Sequence, residues 1–288
     1  MLKINKLITG LFLISFFVCT EMLFADEYVA YTQPTDDFWQ VWMCNITTET
    51  HTQLTDSPFD KKTPVWSPDG SQILYRSSNG ELYIFSLDKK TERKILETIQ
   101  YCADPDWISE DEVLFTRFRT DVIDDSDIWL VNLKTGKTKV LVSAPGLQYQ
   151  PTFSPDKENL IYVNALDNQN HQLFIKNLLK NKEKRLTRAV PYNFKPSYSP
   201  DGTKIVFVSD RAGNNDLYMM NMKNSSIKQL TTNQNIDTDP CWIDNEKIVY
   251  SSFQDNKFQI NIFDLKTMQV KPVIIKNTDC TNPDWKRE

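Results

Sequence analysis

Enzymes draw on nucleophiles, acids, bases and metal ligands, and this chain offers few in usable patterns. It contains two histidines, His51 and His171. The chain reads as repeats of four short strands, A to D, and by that pattern His51 falls near a C-to-D turn and His171 in a B-to-C loop, on opposite faces, so they should not share a site. No GxSxG elbow is present, and no spacing pairs a nucleophile with a base. We therefore expect no enzyme activity, no catalytic residues and no cofactor. The run Asp121, Asp124, Asp125 and Asp127 is oxygen-rich enough to suggest Ca²⁺. Its spacing departs from an EF-hand loop and no Gly supplies the sharp turn, so it is a weak calcium candidate and reads as a solvated acidic loop. The five cysteines are scattered with no CxxC pair, which supports neither a zinc ribbon nor a thioredoxin-type site. Buried free thiols are expected.

Binding is a better prospect. Six polar residues, Thr63, Asp104, Gln150, Lys195, Asp239 and Asn282, each stand immediately before a Pro that is followed two residues later by an aromatic. If these positions are equivalent in the fold, they form a ring. Such a ring could receive a peptide or a side chain from a partner. Loop-end residues are also polar for solvation alone, so polarity by itself does not decide. Arg119 and Arg211 lie in neighbouring loops and would stand on the rim, where Arg can bind carboxylates through two parallel hydrogen bonds.

The positions are equivalent because the chain repeats. The Pro-x-aromatic element occurs six times, from Pro64/Trp66 to Pro283/Trp285. A second element, "VWMCNI" from Val41 or "LYMMNM" from Leu217, also occurs six times. A third is a short closing pair such as Leu54-Thr55 or Leu230-Thr231. From the second residue of the second element to the next Pro is always 22 residues, as from Trp42 to Pro64 and from Tyr218 to Pro240. Length varies only between the Pro and the next second element, as in a packed repeat with tolerant loops. Each unit reads as four short strands: A with the Pro and aromatic, B an alternating run such as "KIVFVS", C the second element, and D carrying the closing pair. "SPDG" is the tight A-to-B turn.

Units of 41 to 46 residues with four strands indicate a six-bladed β-propeller. The chain ends on a spare strand A, "NPDWKRE", and begins on a strand B, "YVAYTQ", with none before it. The first blade should therefore be closed by the C-terminal strand. Residues 1–25 read as a signal peptide, with Lys3 and Lys6 ahead of an apolar run and Ala25 at the cleavage point. Residues 26–288 would form the propeller, a monomer in the periplasm or secreted. Net charge is −5 with no basic block, which excludes a nucleic-acid footprint.

The repeats resemble those of TolB-type propellers over residues 27–288, most closely in "YSPDGTKIVFVSDRAGNNDLYMMNM" from Tyr198. The resemblance implies a non-enzymatic bacterial envelope protein that binds partners, notably the peptidoglycan-associated lipoprotein, across one face and the channel mouth. The family carries a separate α/β domain before its propeller, and here the first blade follows the signal directly, so the expectation is a TolB-like propeller with a possible link to Tol-Pal-type envelope integrity or transport. Related propellers gate oligopeptidases or act as oligogalacturonate lyases, so the alternative is a carbohydrate- or peptide-processing protein.

Overall fold

The computed structural model describes residues 27–119, 125–165, 170–188, 192–274 and 279–286. The expected signal peptide, Asp121 and Asp124 lie outside the described residues. The described chain is an all-β propeller of 24 strands without a helix. Four sheets are separate and four-stranded; the remaining eight strands form one continuous sheet from Cys102–Ser109 to Lys182–Arg185. Six separate sheets were expected. The eight-stranded sheet consists of two antiparallel four-stranded units joined by a single parallel bridge, Ser126↔Leu147. The Ser126 hydroxyl both donates to the Gln148 carbonyl, at 2.9 Å, and accepts from the Gln148 N–H, at 3.1 Å, which draws the two units together.

The two chain ends share a sheet. Strand Thr281–Trp285 pairs antiparallel with Tyr28–Thr35, with Val29 opposite Trp285. This is the closure that the unmatched strands at the two ends implied. Six apolar clusters join each four-stranded unit to the next. The last packs Val249 and Ile260 against Val29, Tyr31 and Trp285, so the circuit has no open end. Strand B is sandwiched on both faces, which is why runs such as Ile73-Leu74-Tyr75 and Val206-Phe207-Val208 are wholly buried rather than alternating.

The SPDG turns form as expected. The Gly70 and Gly202 N–H groups donate to the Ser67 and Ser199 carbonyls, at 2.9 and 2.8 Å. Gly70 and Gly202 have φ of +66° and +68°, and Lys157 takes the same conformation at the equivalent place. The closing pairs differ from expectation. In four units strand D stops just short of them, at Gln53, Lys94, Arg185 and Gln229. In three of those the pair's Thr hydroxyl replaces the strand: Thr55, Thr187 and Thr231 each accept a strand-C N–H at 2.9 Å. The chain can then turn inward without leaving a buried donor unpaired.

A strained polar ring at the channel mouth

All six inner strands carry a register break around the residue before the Pro, for example between Lys62 and Val65 and between Thr238 and Cys241. At each break the pre-Pro residue is left-handed: φ is 51° at Thr63, 47° at Asp104, 50° at Gln150, 52° at Lys195, 50° at Asp239 and 54° at Asn282. A bulge needs one residue that pairs with nothing, and Pro, with no N–H, can follow it without losing a ladder bond. Asp and Asn tolerate this conformation; for the β-branched Thr63 it is an outlier.

The structure brings the six together. They line one channel cavity of about 160 Å³, above their buried Pro residues and the residues two further on. They are also bonded around the ring. Asp104 Oδ2 accepts the Gln150 N–H at 3.2 Å and the Thr116 hydroxyl at 3.1 Å. Gln150 Oε1 accepts the Lys195 N–H at 2.8 Å. Lys195 Nζ pairs with Asp239 Oδ1 at 2.9 Å, and the Thr281 hydroxyl donates to Asp239 Oδ2 at 3.3 Å. The ring is polar partly because its side chains satisfy the exposed N–H groups of their left-handed neighbours. Desolvation lowers the Lys195 pKa, but the Asp239 and Asp104 carboxylates outweigh it and hold the ammonium above its ordinary value. The 26% of its side chain that stays accessible opens onto the channel.

One layer down, Asp284 accepts the Trp66 N–H at 2.8 Å and the Cys241 thiol at 3.1 Å. With Asp104, Asp106 and Asp239 it sets four carboxylates against the Lys195 ammonium in the lining. The B-to-C loops meet the D-to-A connections on the same face as the mouth. The Cys102 N–H donates to Gly80 O at 2.8 Å and Asp237 to Asn215 O at 2.9 Å; in the last unit Cys280 donates to Phe258 O, at the start of strand C, at 3.0 Å.

The two arginines are occupied. Arg119 pairs with Asp125 at 2.7 Å and with Asp127 at 3.0 Å. These described members of the acidic run therefore serve the arginine, and among the described residues no group of three His, Cys, Asp or Glu is placed to hold a metal. Arg211 donates to Asn193 Oδ1 at 2.8 Å and to Ser209, and its guanidinium lies 4.5 Å from the Tyr218 ring centre. It braces its own unit, and desolvation lowers its pKa. His51 and His171 fall in different sheets, bonded to the hydroxyls of Tyr31 and Tyr149. Cys44, Cys102, Cys241 and Cys280 are buried and form no disulfide with one another, and burial pushes the Cys102 thiol up to about 12. Exposed apolar residues near the mouth escaped the sequence reading: Tyr101, Tyr192 and Ile236, each four residues before a strand-A Pro. That fixed offset was the available signal.

Comparison with known proteins agrees with this architecture. The family model described as the TolB beta propeller domain matches residues 112–286, and the dipeptidyl peptidase IV N-terminal region matches residues 35–121. A TolB homolog of Chlorobium luteolum is 31% identical over 143 residues, 48% of this chain and 31% of its own length. An uncharacterized peptidase of Bacillus subtilis, YuxL, is 30% identical over 38% of this chain and 16% of its own. The chain thus spans at most about a third of the length of these two relatives. The crystal structure of TolB from Acinetobacter baumannii superposes with a TM-score of 0.81 at 19% identity, covering 91% of this chain and 67% of that one. A putative TolB from Agrobacterium tumefaciens gives 0.72 at 21% identity, covering 86% and 88%.

Proposed function

This chain belongs to the TolB beta propeller domain family, and from that membership we propose that it is a non-enzymatic, protein-binding propeller of the bacterial envelope. On this reading residues 1–25 export it to the periplasm and residues 26–288 form a six-bladed ring, monomeric and free of cofactors. The six-fold count takes the eight-stranded sheet as two blades, which is supported by the single bridge that joins its halves. The partner is an envelope protein of the peptidoglycan-associated lipoprotein kind, in line with the relatives in Francisella tularensis named Tol-Pal system protein TolB. Among the described residues no helix is long and apolar enough to cross a membrane.

The observation that carries the reading is the ring. Six strained polar residues converge on one mouth, and strain of this kind clusters at ligand clamps. The partner would engage that mouth, with Arg119 and Arg211 supporting the rim loops. Calorimetric titration with the soluble domain of the same organism's lipoprotein tests it. The expected result is a 1:1 complex with a Kd of about 1 μM or tighter. No heat of binding, or turnover of peptide or oligogalacturonate by the purified protein, would sink the proposal.

A further inference from the structure

The position four residues before each strand-A Pro holds Asp60, Tyr101, Leu147, Tyr192, Ile236 and Asp279. Asp60 and Asp279 are used internally, accepting the N–H groups of Trp39 and Phe258 at the start of strand C, at 3.0 and 2.7 Å. The other four are apolar and come from consecutive repeats. Tyr101, Tyr192 and Ile236 are 41%, 37% and 42% exposed, and Leu147 is half-buried. One side of the mouth therefore has an apolar arc and the other does not.

The arc deepens into a cleft at Tyr101. With Phe118 and Tyr149 it lines a space of about 830 Å³ that shares Asp104 and Gln150 with the channel. Tyr101 itself is left-handed, with φ of +61°. The backbone approaches closely there, since a Cβ on Gly80 would come within 2.8 Å of the Tyr101 Cα. A large aromatic ring is thus held out over the cleft at a position where Asn would be the easier residue. The adjoining channel, at about 160 Å³, is well below the size of a pocket that encloses a whole small ligand and suits one inserted side chain. Its lining has the carboxylates of Asp104, Asp106, Asp239 and Asp284 against Lys195, with Arg76 standing in the cleft wall. The excess of negative charge favours a cation, and aromatic rings favour an apolar or aromatic anchor.

We propose that this side of the mouth binds an extended segment of a partner protein that sets an aromatic or long aliphatic side chain in the Tyr101 cleft and a Lys or Arg in the channel. The proposal rests on the protein-binding reading above and specifies the partner's chemistry. A random 12-residue peptide library displayed on phage and panned on the intact protein tests it. The enriched peptides should carry Lys or Arg within a few residues of Phe, Tyr, Trp or Leu. A synthetic copy of the strongest should lose at least tenfold in affinity when its cation becomes Glu. The same loss should follow from Tyr101→Asn, which suits the left-handed backbone and should leave the melting temperature at or above wild type, and a smaller one from Asp104→Asn, which keeps an acceptor for Gln150. Failure to enrich any peptide, enrichment of acidic or cation-free peptides, or unchanged affinity in both variants would overturn it. If any of these occurs while the lipoprotein domain still binds, only this proposal falls. If the peptides behave as expected and the lipoprotein does not bind, only the partner named earlier falls.

Discussion

Thr63 shows how much of the ring could be read from residue types. The sequence makes plain that a polar residue precedes every strand-A Pro, and the structure gathers all six around one cavity. Their left-handed backbone was not legible, because Thr, Gln and Lys carry no such preference and a residue before Pro is ordinarily extended. The conformation comes from the bulge in the inner strand, a property of the closed ring and not of the local residues. Thr63 bears the greatest strain, being β-branched at φ of 51°, with its hydroxyl donating to the adjacent Lys62 carbonyl at 2.8 Å. Thr63→Asn should therefore stabilise the protein by roughly 1 kcal/mol, since Asn visits this region at lower cost. Chemical denaturation reads this directly; a lower midpoint in the variant would mean that the Thr63 conformation is not strained. Arg119 and Arg211 were correctly placed in loops, but their partners, Asp125, Asp127 and Asn193, depend on contacts that residue type cannot announce.

At the scale of the element, the A-to-B turn was the most legible feature. Ser-Pro-Asp fixes its own geometry: the Ser67, Ser154 and Ser199 hydroxyls donate to Asp69, Asp156 and Asp201. Bonds from Ser67 and from Ser154 hold the first two carboxyls below their ordinary range. At Asp201 desolvation pulls upward, and the Ser199 and Thr203 bonds overcome it, with the same net direction. A carboxyl lowered in the folded state contributes stability above its unfolded pKa and loses it as pH falls through the folded one. Part of the stability should thus disappear below about pH 4. Replacing all three by Asn should flatten that acid limb relative to wild type. Asp216 and Asp237, raised by burial, act in the opposite sense but are common to both proteins, so they cancel in the difference. Identical acid limbs in thermal melts from pH 2 to 6 would contradict the assignment. The end of strand D was read less well, because a Leu-Thr pair looks like strand whether its Thr points along the sheet or bonds across it to strand C.

The whole molecule closes by joining its ends, and this was legible because a strand with no predecessor and one with no successor complement each other. The fusion of two units into one sheet was not, since a single bridge between Ser126 and Leu147 leaves no periodic trace. Removing residues 279–288 would strip strand Tyr28–Thr35 of its inner neighbour and delete Trp285, now 6% exposed. The loss of that side chain's burial alone costs about 2–3 kcal/mol, and an open edge adds aggregation. The truncated protein should melt well below the intact one or fail to fold; an unchanged melting temperature would refute closure. The same circular frame puts the strained ring, the apolar arc and the variable loops on one face and the A-to-B turns on the other, so the proposed partner should meet the first face. Hydrogen–deuterium exchange with and without the lipoprotein domain tests this most directly. Binding at the mouth should slow exchange around Tyr101–Asp104, Leu147–Gln150 and Tyr192–Lys195, with Ser67–Gln72 and Ser199–Lys204 unchanged. Protection of those turns, with the mouth unaffected, would contradict it.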